Sequence, residues 1–328
     1  MASTRNSLHS DARSLAVSAA LADTLQRHVQ PGERLLVGLS GGIDSVVLLH
    51  ALATTNATNL NALHVHHGLS RNADHWASFC AQTAQQLGVP FSLAHVTVER
   101  GTPDGLEAAA RRMRHAVFAA ATADWIVLAH HRDDQAETLL FNLLRGTGLA
   151  GAAAMRERNG RLLRPLLSVG RAEIESYARQ HGLEWIEDES NQDTRHTRNF
   201  LRHRILAPLT QRFPAAQANL AAAASRFAEA LDLLDGLART DLGVQDEFPL
   251  AIELLQRLDE ARARNVLRYL LARHEVSIPS EARLREALRQ MLTAAADRHP
   301  ALVLGRHRLL RRRGKIYLEP FDPSNDNR

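Results

Sequence analysis

Short apolar runs alternate with amphipathic stretches along the first half of the chain. Leu35 to Leu39, Asn61 to His66, Phe91 to Val98 and Trp125 to Ala129 are apolar runs of strand length, bounded by turn residues. Between them, Leu15, Ala19, Ala22, Leu25 and Val29 recur at helical spacing up to Pro31-Gly32. Val46 to Leu52, Asp74 to Leu87, Gly105 to Ala121 and Asp133 to Arg145 also read as helices, with Gly88 and Gly146 as stops. This alternation predicts an α/β fold: a doubly wound, mostly parallel sheet that binds ligands at the carboxyl ends of its strands. The polar stretch Met1 to Arg13 is expected to be disordered.

After Gly151 the rhythm changes. Arg161 to Pro165 reads as extended and Val169 to His181 as a helix, followed by a polar connection from Glu187 to Arg198. Asn199 to Leu209, Ala215 to Leu242, Asp259 to His274 and Ser280 to Ala296 read as helices, and 301–318 as short strands. Pro214 is a plausible hinge. The expected division is therefore a catalytic domain over 14–213 and a smaller helical domain over 214–328.

Composition narrows the classes. The chain has 328 residues, 45% hydrophobic and 23% charged, which fits a globular protein of about two domains. No apolar run approaches the ~18 residues of a membrane span, and the N-terminus lacks an apolar signal core, so a cytoplasmic location is expected. A single cysteine, Cys80, excludes an intrachain disulfide and a multi-cysteine metal site. The net charge of +4, carried mostly by arginine, points only weakly to an anionic partner such as nucleic acid.

The chemistry starts at Ser40-Gly41-Gly42-Ile43-Asp44-Ser45, between the first strand and the helix after it. A strand, a glycine turn and a helix start bring free backbone N–H groups and a positive helix end to one point, which makes a phosphate site. The usual phosphate-loop lysine is missing, and Asp44 stands at the helix start. An aspartate beside phosphates makes sense with a divalent cation between them.

A second cluster, His130-His131-Arg132-Asp133-Asp134-Gln135-Ala136-Glu137, leaves the fourth strand and opens a helix. Asp134 and Glu137 share a helix face, suited to holding Mg²⁺ on ATP or a cationic substrate. Zinc at His130 and His131 is a minor alternative without cysteine. His64, His66 and His67 end the second strand, where a nucleotide base would dock, although packed or solvated histidines are the plainer reading. Arg111 and Arg114 share a helix face and would suit a phosphate or carboxylate, with plain solvent-exposed arginines as the equally open reading. Arg145, before Gly146-Thr147-Gly148, belongs to a loop that would cover the site. Arg198, Arg202 and Arg204 would grip an RNA backbone, or pair with the acidic residues before them. Arg306 to Arg313, with Arg311 and Arg312, form a second basic stretch for RNA.

Six motifs occur in order: Leu-Ser-Gly-Gly-Ile-Asp-Ser, His-Val-His-His-Gly-Leu-Ser, Gly-Leu-Glu-Ala-Ala-Ala-Arg, Ala-His-His-Arg-Asp-Asp-Gln-Ala-Glu-Thr, Arg-Gly-Thr-Gly-Leu-Ala-Gly, and Glu-Asp-Glu-Ser-Asn-Gln-Asp with Arg-Asn-Phe-Leu-Arg. The first resembles the signature of the PP-loop ATP pyrophosphatases. As a set, over about Leu25 to Leu209, they resemble the tRNA(Ile)-lysidine synthetase family in its shorter form. The resemblance implies a ligase that adenylates C2 of the wobble cytidine in the CAU anticodon of tRNA(Ile) with ATP, then joins free lysine there. It implies that Ser40, Gly41, Gly42, Ile43, Asp44 and Ser45 cradle ATP, with His64 near the base. Asp44 and Asp134 would hold Mg²⁺. Asp134, Glu137 and Arg111 would bind substrate, with Glu137 the candidate base. Arg198 would activate or hold the substrate, and Arg145, Arg202, Arg204, Arg311 and Arg312 would bind tRNA. Glutamine-dependent or thiolating PP-loop enzymes need cysteine chemistry that Cys80 alone does not offer. A nucleotide-binding RNA-binding protein without turnover is the rival of another class; the paired carboxylates argue against it.

Overall fold

The structure, a computed structural model, describes residues 2–55, 59–98, 106–187, 193–295 and 298–322, with side chains from residue 15 onward and without that of residue 107. The acidic loop at 188–192 and the start of the Gly-Leu-Glu-Ala motif lie outside the described residues. The chain divides into two compact units, residues 1–147 with 151–225, and residues 148–150 with 226–328.

In the first unit, α1 (Ala2–His28) precedes β1 (Leu35–Gly38), α2 (Ile43–Ala53), β2 (Leu60–His66), α3 (Ala73–Gln86), β3 (Phe91–His95), α4 (Leu106–Ala120), β4 (Trp125–Val127) and α5 (Arg132–Leu144). After the short α6 (Leu149–Ala152) come β5 (Arg158–Asn159), β6 (Leu162–Leu163), α7 (Arg171–Gln180), α8 (Thr197–Phe200), a π-helical turn over Leu201–Leu206 and α9 (Ala207–Arg212). α10 (Ala216–Leu242) runs into the second unit, which holds β7 (Leu250–Ala251), α11 (Ile252–Gln256), α12 (Glu260–Arg273), α13 (Glu281–Thr293), β8 (Ala301–Leu304), β9 (His307–Arg312) and β10 (Lys315–Pro320).

The six-stranded sheet has the order β3-β2-β1-β4-β6-β5, parallel except for the β5–β6 pair. Strand order reverses between β1 and β4, so their carboxyl ends flank the switch point where such folds bind ligands. Both faces are covered. Leu35, Val37 and Leu39 pack with Val46, Leu48, Leu49 and Tyr177, while Leu36 packs on the other side with Leu63, Phe118 and Ile126. That two-sided burial explains why the strands read as continuous apolar runs rather than alternating ones. Each such buried side chain contributes about 1.5–3 kcal/mol. Gly38 is required by space: a Cβ there would lie 2.8 Å from Leu128 and 2.9 Å from Phe118. α4 ends against the Arg161 guanidinium, which donates to the carbonyls of Phe118, Ala121 and Ala123 at 2.9, 2.7 and 3.1 Å.

The second unit has its own core, built from Val266, Leu267, Leu270, Leu284, Leu288, Leu309 and Ile316. Its four strands form an antiparallel sheet of order β7-β10-β9-β8. Asp259 caps α12 by accepting from the Arg262 amide at 2.9 Å.

Three readings need correction. The chain is helical from Ala2, not disordered to residue 13. The units divide inside α10, at 225/226: the helices do break around Pro214, between α9 and α10, but α10 then runs unbroken from Ala216 to Leu242 across the division. The second unit is not only helical: β7 and α11 gave no usable signal, being two and five residues long. The short strands expected over 301–318 are present as β8, β9 and β10.

Candidate active site

The loop after β1 is held from within. Ser45 Oγ donates to the Gly42 carbonyl at 2.9 Å and accepts from the Ser40 amide at 3.1 Å. Gly41 has φ +88°, and a Cβ there would meet Ile186 at 2.9 Å and Cys80 Sγ at 3.3 Å, so both conformation and space demand glycine. Gly42 caps α2 with no side-chain hydrogen bond. The Ser45 and Val46 amides donate to the Gly42 carbonyl at 3.0 and 3.1 Å, so the Ile43 and Asp44 amides at the start of this eleven-residue helix are the ones that face an anion. His64, buried, holds the strand end from below: its Nδ1 lies 2.8 Å from the Leu39 carbonyl. Burial lowers its pKa, which keeps the ring neutral.

Across the switch point, α5 starts with a reciprocal cap. His131 Nδ1 accepts from the Asp133 amide at 3.2 Å, and Asp134 Oδ2 accepts from the His131 amide at 3.0 Å. With Nδ1 accepting, the ring proton of neutral His131 sits on Nε2. Nε2 lies 3.7 Å from Asp44 Oδ1 and 3.5 Å from Asp134 Oδ2. His131 is 4% exposed, so one buried imidazole links the carboxylates of two loops. The far side of Asp44 meets Arg171, whose Nη1 donates to both carboxylate oxygens at 3.0 and 3.1 Å. Glu137, 2% exposed, is held by Arg202: Nε at 2.5 Å from Oε1 and Nη2 at 3.0 Å from Oε2. Arg202 Nη2 also reaches Asp134 Oδ1 at 3.4 Å.

These contacts set the charges. Burial raises the Asp44 carboxyl above its ordinary range, against the pull of His131 and Arg171. Burial likewise raises Glu137, more than Arg202 lowers it. Burial also works against ionised Asp134, but His131, His130, the His131 amide and Arg202 outweigh it and hold that carboxyl low. Facing them is a positive wall. Burial and then the Arg111 charge lower the Arg164 guanidinium to about 10. Burial pushes His130 down to about 3, with Arg164, Arg111 and Arg114 adding to the effect against Asp134.

The structure thus brings together Ser40 to Ser45, Asp44, Asp134 and Glu137, with His64 under the loop. Arg111 stands in the positive wall. Arg198 lies in α8, and among the described residues it makes no hydrogen bond to these carboxylates. Arg202, expected on RNA, turns its guanidinium to Glu137 and Asp134. Arg311 spends its guanidinium on the Met291 and Ala294 carbonyls at 2.7 and 2.8 Å, closing the end of α13. Arg145 sits 5.1 Å over the Phe141 ring. Arg204 is exposed, and so is Arg312, 4.8 Å from the Tyr317 ring. Arg171 was missed, and His131, singled out in the second cluster only as a minor zinc alternative, was not foreseen as the cap between two carboxylates. The Asp-Asp run hid a capping box in which His131 is the cap, and Arg171 comes from α7 with no local signal at all.

No group of three or more protein ligands for a metal occurs among the described residues. Asp44 and Asp134 supply two hard oxygens beside the phosphate loop. That donor set suits Mg²⁺, which is bound through one or two carboxylates and substrate phosphates.

An uncapped loop and helix at the switch point of a parallel sheet, faced by an acidic helix start, define the PP-loop class. Residues 14–209 match the PP-loop domain family and residues 250–317 the TilS substrate binding domain. The tRNA(Ile)-lysidine synthase of Nitrosomonas europaea is 42% identical over 309 residues, covering 91% of this chain and 68% of its own length. That of Aromatoleum aromaticum is 46% identical over 299 residues, covering 89% of this chain and 70% of its own. The chain belongs to the tRNA(Ile)-lysidine synthase family, and is accordingly a ligase. A U34-tRNA thiolase from Methanococcus maripaludis shares the fold, with a TM-score of 0.53 at 17% identity over 67% of this chain and 80% of that one.

Proposed function

We propose that the chain joins free lysine to C2 of the wobble cytidine in the CAU anticodon of tRNA(Ile), in the cytoplasm, at the expense of ATP. The C2 oxygen attacks the α-phosphorus and pyrophosphate leaves. The lysine ε-amine then attacks C2, the C–O bond breaks, and AMP departs with the oxygen. The product, lysidine, reads AUA and carries isoleucine identity. The reading rests on family membership and on one geometric observation: Asp44 after β1 and Asp134 at the exit of β4 meet at His131 Nε2, 3.7 and 3.5 Å away, beside the phosphate loop.

The loop from Ser40 to Ser45 cradles the phosphates, chiefly through the Ile43 and Asp44 amides at the start of α2, and His64 fixes the strand end that carries it. Mg²⁺ held by Asp44 and Asp134 would neutralise charge on the departing pyrophosphate. Free lysine has a pKa near ~10.4, so its amine must lose a proton before it attacks. Glu137, raised by burial, is a better acceptor than an exposed carboxylate. Arg111 in the positive wall receives a carboxylate or phosphate, and Arg198, Arg204, Arg145 and Arg312 meet the RNA. Pyrophosphate release with ATP, tRNA and each amino acid in turn tests this reading. Lysine alone should stimulate release, and Asp44→Ala or Glu137→Ala should abolish it with the circular dichroism spectrum intact. Full activity in either variant would overturn the assignment of the site.

A further inference from the structure

The π-helical turn, α9 and the start of α10 border an open, shallow cleft of about 380 Å³, lined by Arg202, His203, Ala207, Thr210, Gln211 and Gln217. None of these is acidic. The Thr210 hydroxyl is buried and has no hydrogen-bond partner among the described residues. Two amides, a hydroxyl and an imidazole offer both donors and acceptors, and Arg202 adds one fixed cation. An amino acid would find no carboxylate here for its ammonium. A nucleotide fits the set, with its base edge on the amides and hydroxyl and its phosphate on the guanidinium. Arg198 and Arg204 bring further positive charge along the same segment.

Arg202 belongs to two sites at once. It lines the cleft, and it covers Glu137 and Asp134, the carboxylates that a cationic substrate amine would need. A guanidinium and a primary ammonium cannot hold Glu137 in the same place. The π-helical turn that carries Arg202 is the kind of irregularity that re-registers readily and clusters at functional sites.

We propose that the cleft receives one nucleotide of the RNA substrate, and that its phosphate draws Arg202 off Glu137 and Asp134. The carboxylates then open to a primary ammonium only when RNA is seated. Withdrawing Arg202 leaves the buried Glu137 charge short of a partner, which is strongly destabilising, and the incoming ammonium takes the place of the departed guanidinium; that is why RNA and lysine should favour each other's binding. Arg202 acts here as a positioning residue that enforces order of binding. This deepens the proposed function and rests on its assignment of Glu137 and Asp134 to the lysine amine.

The test uses the full chain, labelled lysine and a stem-loop RNA with a CAU anticodon, without ATP, by equilibrium dialysis. Lysine should bind the wild type at least tenfold more tightly with RNA present, and lysine should tighten RNA by the same factor. The double variant Gln211→Ala, Gln217→Ala changes two cleft residues that the proposed function does not use, and should lose that coupling and bind RNA severalfold more weakly. Arg202→Gln should bind lysine without RNA as well as the wild type does with it. Should Arg202→Gln fold poorly, the cleft variant decides alone. Lysine binding indifferent to RNA in the wild type, or full coupling in the cleft variant, overturns the proposal while leaving the proposed function standing. No lysine binding under any condition, with no lysine-stimulated pyrophosphate release, overturns both.

Discussion

His131 shows how one side chain can serve two loops. Its Nδ1 finishes the cap of α5, which forces the Nε2 proton between Asp44 and Asp134. His131→Asn can still accept from the Asp133 amide but has no second nitrogen at that point. We expect helix content to be kept and lysine transfer to fall about 10–100-fold, the usual effect of losing a group that orients ligands; an unchanged rate would remove His131 from the site. His130 gives a pH signature. In the folded chain it stays neutral down to about 3, whereas the unfolded ring titrates near its ordinary value. Between those limits the unfolded chain binds a proton that the folded one does not, so stability falls as pH falls. By pH 5 this costs about 2 kcal/mol, and His130→Asn should flatten that part of a urea-unfolding series. Cys80 is buried under Gly41, and burial pushes its thiol up to about 12. Ellman's reagent at pH 8 should label it only after unfolding.

At the scale of elements, what was legible was what repeats locally. The period of apolar positions and the glycine stops gave α2, α3, α4, α5, α7, α12 and α13 to within a few residues, because each helix carries its own pattern and punctuation. The phosphate loop was legible for the same reason: strand, glycines and helix start lie within a dozen residues. Contacts made by distant elements were not. Arg171 reaches Asp44 across 127 positions and Arg202 reaches Glu137 across 65, and no periodicity encodes either. The π-helical turn was hidden too, since Asn199 to Leu209 simply reads as helix. Arg161 shows the same limit, closing α4 from 38 to 43 residues away. Arg161→Ala should cost about 2 kcal/mol in urea unfolding by stripping those carbonyls of a charged donor. A loss under 0.5 kcal/mol would mean that solvent caps α4 equally well.

For the molecule as a whole, the composition gave a weak lean toward nucleic acid that the matched domains make specific. The basic strand β9 divides its labour. Arg311 is committed to the end of α13, so Arg311→Ala should lower stability, while exposed Arg312 and Arg313 should carry RNA affinity. Replacing the latter two should weaken tRNA binding and flatten the salt slope by roughly 0.7–0.9 per lost phosphate contact; an unchanged slope would make these two arginines structural. The central claim is that one crevice activates a cytidine and delivers lysine to it. Mass analysis of tRNA(Ile) after incubation with the enzyme, ATP and isotopically labelled lysine tests it most directly. The account predicts a single nucleoside, the wobble cytidine, heavier by one lysine less one water and carrying the label; unmodified tRNA, or label on any other nucleotide, would contradict it.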